Sequence, residues 1–146
     1  MSEAIARAAG ERAGYIHIPF CHRRCPYCDF AVVDLEVDAT PIERYVDAVV
    51  AEIERSDDWD PLHAVNIGGG TPSILSADQI ATLLDALRNR FGFVAGAEIS
   101  IEANPEDMTG SLAEQLRTVG VNRVSLGVQS FDPTVLAALG RWHTPD

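Results

Sequence analysis

Four times along this chain a short apolar strand pattern is followed by a helical one, and that alternation constrains the fold more than any other feature. Residues 15–20 read as a strand rich in β-formers. After them, Ile42, Tyr45, Val46, Val49, Val50 and Ile53 recur at helical spacing, with Thr40 as N-cap and Pro41 at the first helical position. Residues 64–67 form a second strand, closing on Gly68, Gly69 and Gly70, and a helix follows over residues 76–91. Ser76 with Gln79 three positions on makes a capping box there, and Ile80, Leu83, Leu84 and Leu87 make the buried stripe. A third strand, residues 98–103, precedes a helix over residues 111–119 that stops at Gly120. A fourth, residues 123–128, precedes a helix over residues 133–139 capped by Asp132.

Strand-then-helix units in succession call for a parallel sheet, because each helix is the crossover that returns the chain to start the next strand in the same direction. The class is α/β. A doubly wound open sheet and part of a barrel both satisfy the pattern, and periodicity does not separate them. A full barrel takes about 250 residues, against 146 here. The expectation is therefore a flexible tail over residues 1–14 and, over residues 15–146, the first part of a larger core domain. A small complete domain of four units is the alternative. The fourth strand is expected to be an uncovered parallel edge, which would make the chain poorly stable by itself.

With 47% apolar and 23% charged residues, the composition is that of a soluble globular domain. Lys and Arg number 11 against 22 Asp and Glu, and a net charge of −11 argues against nucleic acid as a partner. No apolar stretch approaches the roughly 20 residues of a membrane span. The start lacks a signal-peptide core, and Glu3 and Glu11 count against a transit peptide despite Arg7 and Arg12. A cytoplasmic location is expected.

All three cysteines, Cys21, Cys25 and Cys28, fall within eight residues, an odd number packed too closely for a disulfide framework. Thiolates at this spacing can converge on an iron–sulfur cluster. Three thiolates leave one iron of a four-iron, four-sulfur cluster without a protein ligand, free to be chelated by the amino and carboxylate groups of S-adenosylmethionine (SAM). Zinc held by the cysteines with His22 or His17 is the competing reading. In parallel α/β folds the chemistry sits at the carboxyl ends of the strands, and each strand end here carries special residues: the cysteines; the glycines with Thr71 and Pro72; Glu102 and Asn104; Gln129 and Ser130. The glycine turn lets backbone approach a ligand closely. With no Lys–Ser/Thr pair after it, it is not a phosphate loop. Glu102 is placed to bond ribose hydroxyls, or is simply a solvated charge. Gln129 and Arg141 read as plain polar residues, and Trp59, Phe91 and Trp142 as packing in the core or at helix seams.

YIHIPFCHRRCPYCDF (residues 15–30), GGGTPS (68–73), IEANPED (101–107), GVNRVSLGVQSF (120–131) and LGRWHT (139–144) follow one another in order. With these the chain resembles the radical SAM superfamily, and within it the branch of oxygen-independent coproporphyrinogen III oxidases and HemW-type heme chaperones. The resemblance implies four parallel strand–helix units forming part of a partial TIM barrel, followed in the complete family member by a C-terminal domain. It also implies a 4Fe-4S cluster on Cys21, Cys25 and Cys28. Tyr15 and Tyr27 would line the SAM site, Gly70 and Thr71 would meet the methionine end, and Glu102 would hold the ribose. Gln129 and Arg141 match positions that contact a second SAM in the oxidase. No side chain is given a catalytic role. The oxidase pattern has a further cysteine two residues after the third ligand, where this chain has Phe30. That departure favours the chaperone branch: heme as bound ligand, an acceptor protein that can be membrane-associated, and an electron donor. Coproporphyrinogen III oxidation in porphyrin biosynthesis and a zinc-stabilised binding module are the alternatives. The expected heme-binding segment lies beyond Asp146.

Overall fold

The computed structural model describes residues 10–35 and 41–145. Thr40 and residues 1–9 of the expected tail lie outside the described residues. The elements run β1 (Ala13–Ile18), β2 (Phe20–Cys21), β3 (Val33–Asp34), α1 (Pro41–Arg55), β4 (Leu62–Gly69), a 3-10 turn (Pro72–Ile74), α2 (Ala77–Phe91), β5 (Phe93–Ala103), α3 (Gly110–Thr118), β6 (Arg123–Leu126) and α4 (Pro133–Ala138). The main sheet has the order β1-β4-β5-β6 with every pair parallel. Each new strand is added on the same side of the last, with no reversal of order. A doubly wound sheet needs such a reversal; sequential addition is the barrel arrangement.

One face of the sheet is apolar and covered by helices. Ile16, Ile18, Val65, Ile67, Ile99 and Ile101 from the strands cluster with Val46 and Ile53 of α1, with Ile80, Leu83, Leu84 and Leu87 of α2, and with Leu116 of α3. Burying each such side chain contributes about 1.5–3 kcal/mol. Strand alternation sends the intervening residues to the other face. There Tyr15 lies opposite Asn66, Asn66 opposite Ser100 and Ser100 opposite Arg123, a polar row across the sheet. Ser100, itself buried, donates to Asn66 Oδ1 at 2.8 Å and to the Val65 carbonyl at 3.2 Å.

The helices lie close to where the local signals put them. Ser76 and Gln79 make both bonds of the capping box, at 3.2 and 3.0 Å. Asp132 Oδ1 accepts from the Thr134 and Val135 amides. Thr109 caps α3 by accepting from Leu112 N at 3.1 Å, and so starts it one residue early. The strands differ more. β1 begins at Ala13, inside the expected tail, and β5 begins five residues early because Gly92 (φ 77°) and Gly96 (φ 78°) are absorbed into the turn and strand. β6 ends at Leu126, since the chain turns at Gln129 with φ 66°. The edge β6 is solvent-exposed along its whole length, Val124 and Leu126 included. Of the aromatics assigned to packing, Phe91 packs against the core, whereas Trp59 is half-exposed, its ring 5.6 Å from Phe91. Trp142 is not core: it is half-exposed at the carboxyl rim.

Two substitutions separate the weight of cap and core. Ser76→Ala removes the cap and is expected to cost about 1 kcal/mol, and Leu84→Ala, at a site with no exposure, about 2–5 kcal/mol. Urea denaturation followed by circular dichroism checks both the size and the order.

Candidate functional site

The carboxyl rim is assembled by backbone contact between two turns. Gly70 N donates to the Ile18 carbonyl at 2.8 Å and Thr71 N to the Phe20 carbonyl at 2.7 Å, which brings the glycine turn after β4 against the chain leaving β1. A Cβ on Gly70 would lie 2.6 Å from the Phe20 carbonyl oxygen and 2.9 Å from Cys21 Sγ, so only glycine fits. On its other side, Cys21 is held by the short β2–β3 pairing, with Val33 N donating to Pro19 O and Leu35 N to Cys21 O. Cys21 is therefore a buried strand residue rather than part of the loop, while Cys25 and Cys28 bracket a turn closed by Cys28 N on Cys25 O at 3.0 Å.

A cleft of about 430 Å³ opens on this rim. Of the ten site residues expected from the sequence, nine line it: Cys21, Cys25, Cys28, Tyr27, Gly70, Thr71, Glu102, Gln129 and Arg141. They come from all four strand ends of the main sheet. Tyr15 is not a wall residue. It lies on the inner face beside Gly68, where an added Cβ would be 3.0 Å from its ring, and its hydroxyl bonds His17 Nδ1 at 3.1 Å.

Burial pushes the Cys21 thiol up, and the neighbouring Cys28, Cys25 and Asp34 add to the rise; a hydrogen bond from Thr71 Oγ1 at 3.5 Å works the other way. Tyr27 is raised first by burial and then by its hydrogen bond to Cys25, while the charge of Arg141 lowers it. Tyr15 is raised by burial and by the Glu102 carboxylate. Glu102 is fixed by Gly69 N, which donates to Oε2 at 3.2 Å. Its Oε1 lies over Gly68, a position that any Cβ there would obstruct at 2.9 Å. Gln129 is the one non-glycine residue with positive φ among the described residues. Left-handed backbone costs roughly 1–2 kcal/mol for such a residue, and here it accompanies a side chain on the cleft wall.

Asn104 was singled out at the third strand end, but the links it and several other residues make were not legible in the sequence. Asn104 donates to Thr71 Oγ1 at 3.3 Å and accepts from Arg141 at 2.8 Å. Asp107 joins His22 Nε2 at 3.0 Å and accepts from Ser73 Oγ at 2.7 Å, tying the cysteine loop to the loop after β5. Arg23 lies over the Trp142 ring, 4.1 Å from its centroid. Periodicity carries no signal for any of these, because each joins segments far apart in the chain.

Zinc would need His22 or His17 as its fourth ligand, and here His22 is engaged by Asp107 and His17 by Tyr15. A polynuclear cluster asks for something else, soft thiolates each reaching a different iron. Three free thiols around one wall, close enough to feel each other's charge and with no side chain on Gly70 to crowd them, fit that demand.

The Radical SAM superfamily model matches residues 15–146, and the chain belongs to that superfamily. Within it, the chain is 43% identical over 135 residues to the heme chaperone HemW of Mycobacterium tuberculosis (strain ATCC 25618 / H37Rv), covering 90% of this chain and 35% of that protein. It is 41% identical over 134 residues to HemW of Escherichia coli (strain K12), with the same coverage. The radical S-adenosyl methionine domain-containing protein 1, mitochondrial, of Bos taurus is 36% identical over 131 residues, 89% of this chain and 30% of that one. Among solved structures, coproporphyrinogen III oxidase (HemN) from Escherichia coli, described as a radical SAM enzyme, superimposes with a TM-score of 0.83 at 34% identity, over 94% of this chain and 32% of that one. The chain thus spans about a third of the length of the relatives it matches. The parallel α/β architecture is that of the radical SAM fold.

Burial sets an order of thiol reactivity. In the cluster-free protein, iodoacetamide is expected to label Cys25 and Cys28 before Cys21, as mass spectrometry of timed digests would read. Gly70→Ala is expected to destabilise by about 1–3 kcal/mol through overpacking, measured by thermal melting.

Proposed function

We propose that this chain is the cofactor-binding part of a heme chaperone-like radical SAM protein, with Cys21, Cys25 and Cys28 holding a 4Fe-4S cluster and the adjoining cleft receiving SAM. The observation that carries this reading is the convergence of four strand ends on one cleft with three free thiols along its wall. When bound, such a cluster supplies single electrons to the sulfonium of SAM. The residues divide the remaining work. Thr71 steadies Cys21 through its hydroxyl. The Gly69 amide fixes one oxygen of Glu102, leaving the other for a ribose diol. Gly70 keeps the methionine end free of side chain, Tyr27 shields the cysteine loop, and Gln129 reaches in from the fourth strand end. Tyr15 stands exposed beside Gly68 and Glu102, where its ring adds to the SAM site.

The name of the HemW relatives, heme chaperone, supports heme as the ligand carried; delivery to an acceptor protein and an external electron donor complete the proposal. The acceptor can be membrane-associated; among the described residues of this chain no helix is long and apolar enough to cross a membrane. Three free thiols packed into eight residues suit a reducing compartment such as the cytoplasm. Oxidation of coproporphyrinogen III is the second reading, favoured by the likeness to HemN. Against it stands Phe30, which puts a half-exposed ring on the cleft wall where the oxidase pattern has a cysteine.

Electron paramagnetic resonance of the anaerobically reconstituted, reduced protein tests the cofactor reading. The cluster signal is expected to change when SAM is added, and an unchanged signal would remove the open iron from the account. Glu102→Gln is expected to keep the cluster but weaken SAM binding by about tenfold or more, the loss of one charge-assisted hydrogen bond. Incubation with coproporphyrinogen III separates the two readings: no protoporphyrinogen is expected, and its formation would favour the oxidase.

A further inference from the structure

Arg141 follows α4 in a segment without regular structure, yet its side chain is only 5% exposed. Its Nη2 donates to Asn104 Oδ1 at 2.8 Å and to the Gly127 carbonyl at 3.0 Å, and lies 3.5 Å from Glu106 Oε2. Its Nη1 donates to Cys25 Sγ at 3.7 Å. One guanidinium thus joins the cysteine loop to the loops after β5 and β6. Nε is buried without a partner, so the group has been drawn in by its Nη contacts rather than fitted for every hydrogen bond.

A guanidinium stays charged at any accessible pH, and a buried charge is stable only beside charges that answer it. Two do so here. Glu106 is one, shared with the equally buried His143, whose Nδ1 lies 3.6 Å from Glu106 Oε2. The other is the sulfur of Cys25, which is anionic when it ligates metal. Asn104 and Gly127 hold the fork in place at the cleft wall. Its charge is thereby held against the cysteine loop through Cys25.

We infer that Arg141 is a positioning residue that tunes the reduction potential of the cluster through Cys25, with Glu106 as its counterweight. The inference rests on the reading that Cys21, Cys25 and Cys28 hold a 4Fe-4S cluster. Reduction adds one negative charge, delivered by an external one-electron reductant. A cation bonded to a ligating sulfur stabilises the reduced state more than the oxidised one and raises the potential. A carboxylate 3.5 Å behind that cation takes back part of the effect. The two residues therefore act with opposite sign.

Redox titration with dithionite and mediators, read by electron paramagnetic resonance on the anaerobically reconstituted protein, tests this with Arg141→Gln, Arg141→Lys and Glu106→Gln. Circular dichroism and iron content are measured for each. Arg141→Gln is expected to shift the midpoint to lower potential, Glu106→Gln to higher potential, and Arg141→Lys to stay nearer the wild type than Arg141→Gln. A purely structural role would not give opposite shifts. If Arg141→Gln does not load a cluster, Glu106→Gln decides: a rise supports the inference and an unmoved midpoint overturns it. Potentials that all match the wild type, or move in one direction, overturn the inference alone. A wild-type protein without an iron–sulfur signal overturns the underlying reading and the inference with it.

Discussion

Two backbone hydrogen bonds organise the rim, Gly70 N to Ile18 O and Thr71 N to Phe20 O. They press the turn after β4 against the exit of β1 so closely that no side chain fits on Gly70. Much of the cleft follows from that approach. Cys21 is caught between the glycine turn and β3, within reach of the Thr71 hydroxyl, and Gly69 presents its amide to Glu102 from the same turn. The same Thr71 receives Asn104 and, through it, Arg141. A bulkier residue at position 70 would disturb thiol, threonine and carboxylate together.

Beneath the rim, the sheet assigns its two faces different work. The helix-covered face carries the stability, in a continuous cluster of Ile, Val and Leu. The inner face gives up much of that burial for polar residues, Tyr15, Asn66, Ser100 and Arg123 in one row and Glu102 nearer the rim. A filled barrel would use branched apolar side chains there. Of those polar residues only Glu102 reaches the cleft wall, while the outer face supplies the free energy that holds the strands in register.

What could be read from the sequence was what short-range physics decides. Ser76 with Gln79, Asp132 before Pro133, and the apolar stripes of α1 and α2 act within a turn or two of chain, so the helices lay near their expected limits. The cysteine spacing and the strand-end residues marked part of the cleft lining, whereas Tyr27, Gln129 and Arg141 were assigned through the family resemblance. Strand order was not readable, because the choice between barrel and doubly wound sheet lies in which distant strands pair. The two-residue β2–β3 pairing was too short for any periodicity, and Gly92 and Gly96 disguised the start of β5 as a loop. Tyr15, assigned to the cleft from its motif, lies on the inner face beside His17 and next to the cleft residue Glu102. The links of Arg141 to Cys25 and of His22 to Asp107 span 116 and 85 residues, beyond any local pattern.

Membership of the radical SAM superfamily and the likeness to HemW and HemN are in keeping with the proposal that three thiolates hold a cluster with one open iron. Mössbauer spectroscopy of the protein reconstituted with iron-57 tests that claim most directly. The account predicts a four-iron cluster in which one iron subsite changes when SAM is added while the other three do not. Four subsites unmoved by SAM, or a protein that takes up zinc in place of iron and sulfide, would contradict it.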